Sequence, residues 1–91
     1  MIDITVLSQA DCPFCDHAAA VLDRVGQDYP LAVRHLDLDT DEGRRLASQH
    51  QVLFAPGIVL DGQLFSYGRL SERRLRRHLT RHSQAATTPQ E

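Results

Sequence analysis

A chain of 91 residues, 42% of them hydrophobic and with a formal net charge of −2, has room for one domain and one core. That apolar share excludes full disorder, and apolar runs of only a few residues, such as Ile58-Val59-Leu60, exclude a transmembrane helix, which needs about 20. The opening Met1-Ile2-Asp3-Ile4-Thr5-Val6 has no basic n-region and carries an early Asp, so no secretory signal is expected and the cytoplasm is the expected compartment.

In chain order, residues 2–8 (IDITVLS) alternate and contain β-branched residues, which predicts a strand. Residues 9–12 break it. Pro13 suits the first turn of a helix, where its missing N–H is not needed. Ala18, Val21, Leu22 and Val25 share one helical face, and Gly26 is the expected stop. Residues 31–38 (LAVRHLDL) predict a second strand. Thr40 is the expected N-cap of a shorter helix, with Asp41 and Glu42 in its first turn and its end near His50. Residues 57–60 and 63–67 flank Asp61-Gly62, a strong hairpin signal. Ser71 is expected to cap a last helix over 72–82 with Leu75 and Leu79 inward. Residues 83–91 lack apolar periodicity and read as a disordered tail after a 1–82 domain. The order is β-α-β-α-β-β-α. The helical crossover makes the first two strands parallel and the hairpin makes the last two antiparallel. An α/β fold follows, a mixed four-stranded sheet flanked by three helices.

The charge is unevenly spread. Residues 1–68 hold four Arg against ten acidic residues, a net −6; residues 69–91 hold six Arg against two, a net +4. Arg73, Arg74, Arg76, Arg77 and Arg81 read as the solvated face of the terminal helix. A nucleic-acid surface would want aromatic residues interleaved to stack on bases, and none lies among these Arg. An acidic partner is the functional alternative.

The two cysteines, Cys12 and Cys15, are spaced C-x-x-C. One pair cannot make the disulfide framework of a secreted mini-protein, and a disulfide closing so short a loop adds little stability. The pair therefore reads as redox-active or metal-binding. Cys12 falls at a helix N-terminus, where unpaired N–H groups and the helix dipole favour an anion. A thiolate is the nucleophile in disulfide exchange. Cys15 is one turn further in and more shielded, so Cys12 is expected to attack and Cys15 to resolve. Asp11 and Asp16 bracket the pair; both are expected to point to water, with Asp11 as an N-cap. His17 lies about 200° around the helix from Cys15, is expected in solvent and is not expected to join a metal site. No metal ligands are expected, because structural zinc wants two such pairs.

These residues resemble the thioredoxin/glutaredoxin superfamily over about residues 2–82. The opening VLSQADCPFCDHAAAVL is similar to glutaredoxins, whose motif is usually Cys-Pro-Tyr-Cys; Phe14 replaces the Tyr after Pro13. The stretch LDLDTDEGRRLASQHQVLFAPGIVLDGQLFSYGRLSERRLRRHL looks more like a thioredoxin. The resemblance implies a thioredoxin-like fold and an oxidoreductase with catalytic Cys12 and Cys15. It implies a cis Pro56 against the cysteine pair, with substrate backbone pairing at Ala55. It implies two partners: a protein or mixed disulfide as substrate, and a reductant, either glutathione or a thioredoxin reductase. No bound cofactor is expected, glutathione entering only as co-substrate, and a monomer without membrane attachment is expected.

Several positions depart from the pattern. Gln9 stands where glutaredoxins usually have Lys, Phe54-Ala55-Pro56 where they have Thr-Val-Pro, and their Gly-Gly pair with its following Asp is not reproduced in 66–71. Arg69 and the Ser71-capped helix end are the remaining candidates to hold a glutathione carboxylate. Val6 stands where thioredoxins bury an Asp, and Asp11 where they place a Trp. The alternative reading of the same thiolates is a non-enzymatic metal or iron–sulfur carrier.

Overall fold

The structure is a computed structural model; it describes the backbone of residues 1–87 and the side chains of residues 1–81. Seven elements follow one another: β1 (Ile2–Ser8), α1 (Pro13–Gly26), β2 (Leu31–Asp37), α2 (Asp41–His50), β3 (Gly57–Leu60), β4 (Gln63–Tyr67) and α3 (Glu72–Thr87). The sheet order is β2-β1-β3-β4, with β1 parallel to β2 and the other pairs antiparallel. This is the expected thioredoxin-like α/β order. Among the described residues no helix is long and apolar enough to cross a membrane.

The strands alternate as their sequence does. Ile4 and Val6 of β1, with Ile58 and Leu60 of β3, turn one face toward Ala18, Val21, Leu22 and Val25 of α1 and Leu75 and Leu79 of α3. These residues are almost fully buried. At about 1.5–3 kcal/mol for each large apolar side chain taken from water, this layer is the main source of stability. The short α2 lies on the other side. Its first turn comes so close to the end of β2 that a Cβ on Gly43 would collide with the Asp37 carbonyl.

Local signals set most boundaries. Thr40 Oγ1 accepts from the Gly43 N–H at 3.0 Å, and Ser71 Oγ accepts from the Arg74 N–H at 3.2 Å, so both predicted caps form. Asp61 and Gly62 both adopt positive φ, 49° and 84°, which matches the twist of a tight two-residue hairpin.

Two boundaries differ from expectation. Gly26 is the last residue of α1 and not a left-handed stop: Gln27 caps the helix in a right-handed conformation, its N–H bonded to the Arg24 carbonyl at 3.2 Å. The chain unwinds over Asp28 and Tyr29, whose N–H groups both return to Val25, before Pro30 ends the possibility of helix. The last helix continues to Thr87 and not to 82. Loss of an apolar stripe is not loss of helix propensity, and residues 83–87 (SQAAT) contain neither Gly nor Pro, the strong breakers. The rest of the expected tail, 88–91, lies outside the described residues.

A polar latch closes α1 against α3. Arg24 reaches Glu72 at 2.9 Å, Glu72 reaches Arg76 at 3.0 Å, and Arg76 reaches Asp28 at 2.7 Å. The Tyr29 and Thr80 hydroxyls bond at 2.6 Å beyond it. Hydrogen bonds from Arg24, and then from Arg76, hold the Glu72 carboxyl below its ordinary value of 4.5. A carboxyl lowered on folding stabilises the fold above its unfolded value and loses that contribution as pH falls through the folded one. Glu72→Gln is therefore expected to lower the unfolding temperature at neutral pH and to flatten its decline on acidification below the ordinary carboxylate range. Thermal unfolding followed across acidic pH checks this; an unchanged acid slope would show that the latch carries no linked stability.

Candidate active site

Strand register brings two loops to one end of the sheet. Leu7 near the C-terminal end of β1 pairs with Gly57 at the start of β3. The loop that follows β1 carries the cysteines, and the loop that precedes β3 carries Ala55 and Pro56. The Ala55–Pro56 peptide bond is cis, and both residues are buried. The Pro56 carbonyl accepts from the Gly68 N–H at 2.8 Å, which ties this loop to the end of β4. On its other side the loop is held by the end of α2. Gln51 turns left-handed (φ 58°), and the Val52 N–H returns to the Ala47 carbonyl at 2.8 Å. The Val52 methyls then fill the space a side chain at Gly57 would need.

Cys12 itself is the N-cap of α1, with extended backbone (φ −118°, ψ 100°). Its carbonyl accepts from the Cys15 and Asp16 N–H groups at 3.0 and 3.1 Å, and its Sγ accepts from the Cys15 N–H at 3.1 Å. The cap expected from Asp11 is thus supplied by the cysteine sulfur. Asp11 adopts φ 54° instead, a left-handed kink that Asp tolerates better than most residues and that aims Cys12 into the helix start. Asp11 and Asp16 are both exposed, as expected. Cys12 and Cys15 form a disulfide with Cα atoms 5.1 Å apart. The two are not equivalent: Cys15 is 8% exposed and belongs to the buried side of α1, whereas Cys12 is half-buried. Pro13 and Phe14 between them are exposed.

His17 differs from expectation. It is half-buried, and its Nε2 lies 3.2 Å from the Leu70 carbonyl oxygen. A carbonyl only accepts, so Nε2 carries the proton. The helical phase that turns His17 away from Cys15 turns it toward the β4–α3 loop. That loop holds Arg69, which is exposed, and Ser71, whose hydroxyl is engaged as the α3 cap. Both candidates for a glutathione carboxylate therefore lie on a segment anchored to the first turns of α1. Among the described residues, no three His, Cys, Asp or Glu side chains converge as they would around a metal ion.

A family model, Glutaredoxin-like domain (DUF836), matches residues 3–80. The chain belongs to that family. Among curated proteins none matches the sequence. Solved structures give the fold in the same terms. The thioredoxin-like protein BC3987 is similar with a TM-score of 0.64 and 25% identity, covering 80% of this chain and 96% of that one. A thioredoxin variant from Halobacterium salinarum has a TM-score of 0.62 and 26% identity, covering 81% and 67%. Oxidised mitochondrial thioredoxin 3 from Saccharomyces cerevisiae has a TM-score of 0.63 and 24% identity, covering 87% and 76%.

Within this glutaredoxin-like frame, sequence reasoning missed an apolar rim. Leu53 and Phe54, just before the Ala55–Pro56 bond, are 75% and 55% exposed, and Phe14 is 48% exposed at the same end of the sheet. The Phe54 ring meets Tyr67 edge-on at 5.1 Å and crosses Gly68, where φ is 83° and an added Cβ would lie 3.1 Å from Phe54 Cε2. The signal was the run Val52-Leu53-Phe54 in a segment too short for another element. The His17 bond to the Leu70 carbonyl likewise joins segments far apart in sequence. His17→Ala should cost about 1 kcal/mol of stability by orphaning the carbonyl of buried Leu70. Urea unfolding checks this; a wild-type midpoint would show that the bond is not stabilising.

Proposed function

We propose that this glutaredoxin-like chain is a small dithiol–disulfide oxidoreductase that reduces protein or mixed disulfides. The supporting observation is the asymmetry of the Cys12–Cys15 disulfide across a helix N-terminus. In the reduced protein the Cys12 thiolate, the more accessible sulfur, attacks a substrate disulfide. One S–S bond breaks as the Cys12 mixed disulfide forms, and the first substrate thiolate leaves. Cys15, deprotonated, then attacks Cys12 Sγ, the mixed disulfide breaks, and the second substrate thiolate leaves. Two electrons pass to the substrate and the Cys12–Cys15 disulfide remains, to be reduced by a two-electron thiol or flavin-dependent donor.

The residues around the pair have roles in this reading. The Cys15 N–H, already directed at Cys12 Sγ, and the helix end behind it favour the thiolate, so Cys12 is expected to ionise at lower pH than a free cysteine. The Ala55 backbone beside the cis bond offers an edge on which a substrate segment lies extended. Phe14, Leu53 and Phe54 give that segment an apolar surface. Glutathione is expected to be a weak co-substrate: Gln9 brings no positive charge, Ser71 is committed to its cap, and only Arg69 is left to hold a carboxylate. The protein is expected to act as a monomer in the cytoplasm, with glutathione or a thioredoxin reductase as donor.

Cys12→Ser should abolish disulfide reduction, whereas Cys15→Ser should retain the first step and accumulate a substrate adduct on Cys12. Mass spectrometry after incubation with an oxidised protein substrate reads the adduct directly. Its appearance on Cys15 of the Cys12→Ser protein would reverse the roles, and no adduct on either folded variant would overturn the reading.

A further inference from the structure

A concavity of about 340 Å³ lies between the β3–β4 hairpin and α3. Its walls include Gln63, Leu64 and Phe65 on one side and Arg74, Arg77 and Arg81 on the other. It lies toward the end of the sheet opposite the cysteines, because Leu60 and Gln63 pair with each other and Leu60 pairs with Ile4 near the start of β1. The three arginines are three and four residues apart, so they stand in one row over about 10 Å of helix. They make no ion pair with any described residue, in contrast to Arg76 on the same helix, which is held by Asp28 and Glu72. Among the described residues Asp61 is the one acidic wall residue, and its carboxylate accepts from the Asp3 N–H at 2.9 Å.

The facing strand β4 is a sheet edge. Its sequence, Gln63-Leu64-Phe65-Ser66-Tyr67, has neither a charged residue nor a Pro to keep the edge from pairing with another chain; the register shift between Ile58 and Val59 leaves Phe65 as a bulge, so the regular edge beside the arginines is its Gln63–Leu64 end. That edge beside a row of guanidinium groups without a carboxylate partner among the described residues suits a short extended segment whose side chains are negative. Same-side residues of such a segment recur about every 6.6–6.8 Å, so acidic residues at alternate positions reach successive arginines. A long polyanion fits less well. Residues 1–68 carry a net −6 and would repel it beyond the row, and the Phe65 ring has Arg74 over its face at 5.3 Å and His78 at its edge, leaving no open platform for a base.

We infer that this groove docks an acidic, extended segment of a partner protein, leaving the disulfide at the other end of the sheet uncovered. The inference is independent of disulfide chemistry, so its test needs no turnover. A short fluorescent peptide alternating glutamate and valine is titrated with the full chain at low and at physiological salt, and anisotropy is followed. Saturable binding that weakens with salt is expected. Arg77→Glu/Arg81→Glu should weaken it by about tenfold or more through loss of charge-assisted bonds. Arg44→Glu/Arg45→Glu, with the same change in net charge but on α2 across the sheet from the groove, should leave it within about twofold. Circular dichroism confirms that both variants are folded. Equal binding of a lysine–valine peptide, equal losses in the two variants, or no saturable binding would overturn the inference. So would displacement of the peptide by a single-stranded oligonucleotide at lower concentration than by unlabelled peptide, which would make the groove a nucleic-acid site.

Discussion

The arrangement depends on β1 being paired on both sides. With β2 parallel on one edge and β3 antiparallel on the other, the C-terminal end of β1 and the N-terminal end of β3 coincide. Segments some forty residues apart in sequence, the Cys12–Cys15 turn and the Ala55–Pro56 turn, are thereby delivered to one end of the sheet. A one-residue slip in either pairing would turn Ile4, Val6 and Ile58 out of the apolar layer. Burial of that layer therefore fixes the register, and the register fixes which loops meet.

The loops are then held by the protein's own polar groups, largely from the backbone. Val52 closes the end of α2 and occupies the space beside Gly57; the Gly68 N–H takes the Pro56 carbonyl; His17 takes the Leu70 carbonyl. Each links the end of one element to the start of another at the disulfide end. The C-terminal end of α1 is tied to the first turns of α3 by charge, through Arg24, Glu72, Arg76 and Asp28. This division is consistent with a site that needs fixed backbone positions on a scaffold whose remaining surface tolerates exposed ion pairs, each worth little alone.

Placing a cysteine rather than Asp11 at the N-cap has a chemical consequence. An N-cap must accept a hydrogen bond from the first turn, and here the acceptor is the sulfur itself. In the proposed mechanism the group that completes the helix is also the group that reacts, so helix formation and thiolate stabilisation would draw on the same donors. The cost is the left-handed Asp11 that precedes it.

The sequence by itself determined the elements and the C-x-x-C motif. The alternation of β1, the stripe of Ala18, Val21, Leu22 and Val25, the Thr40 and Ser71 caps and the Asp61-Gly62 turn are local signals, and local signals survive in one dimension. So does the C-x-x-C spacing, because one helical turn separates its members. Three features were decided only by tertiary structure. His17 gained its partner across 53 residues. Phe54 acquired its place over Gly68 and against Tyr67 from strand pairing. Among the arginines of α3, equivalent in composition, Arg76 became a latch residue and Arg74, Arg77 and Arg81 a row facing β4 with no ion pair to a described residue. Each of these depends on which face of one element meets which end of another. Helical phase predicts the face, but only the packed sheet supplies the neighbour.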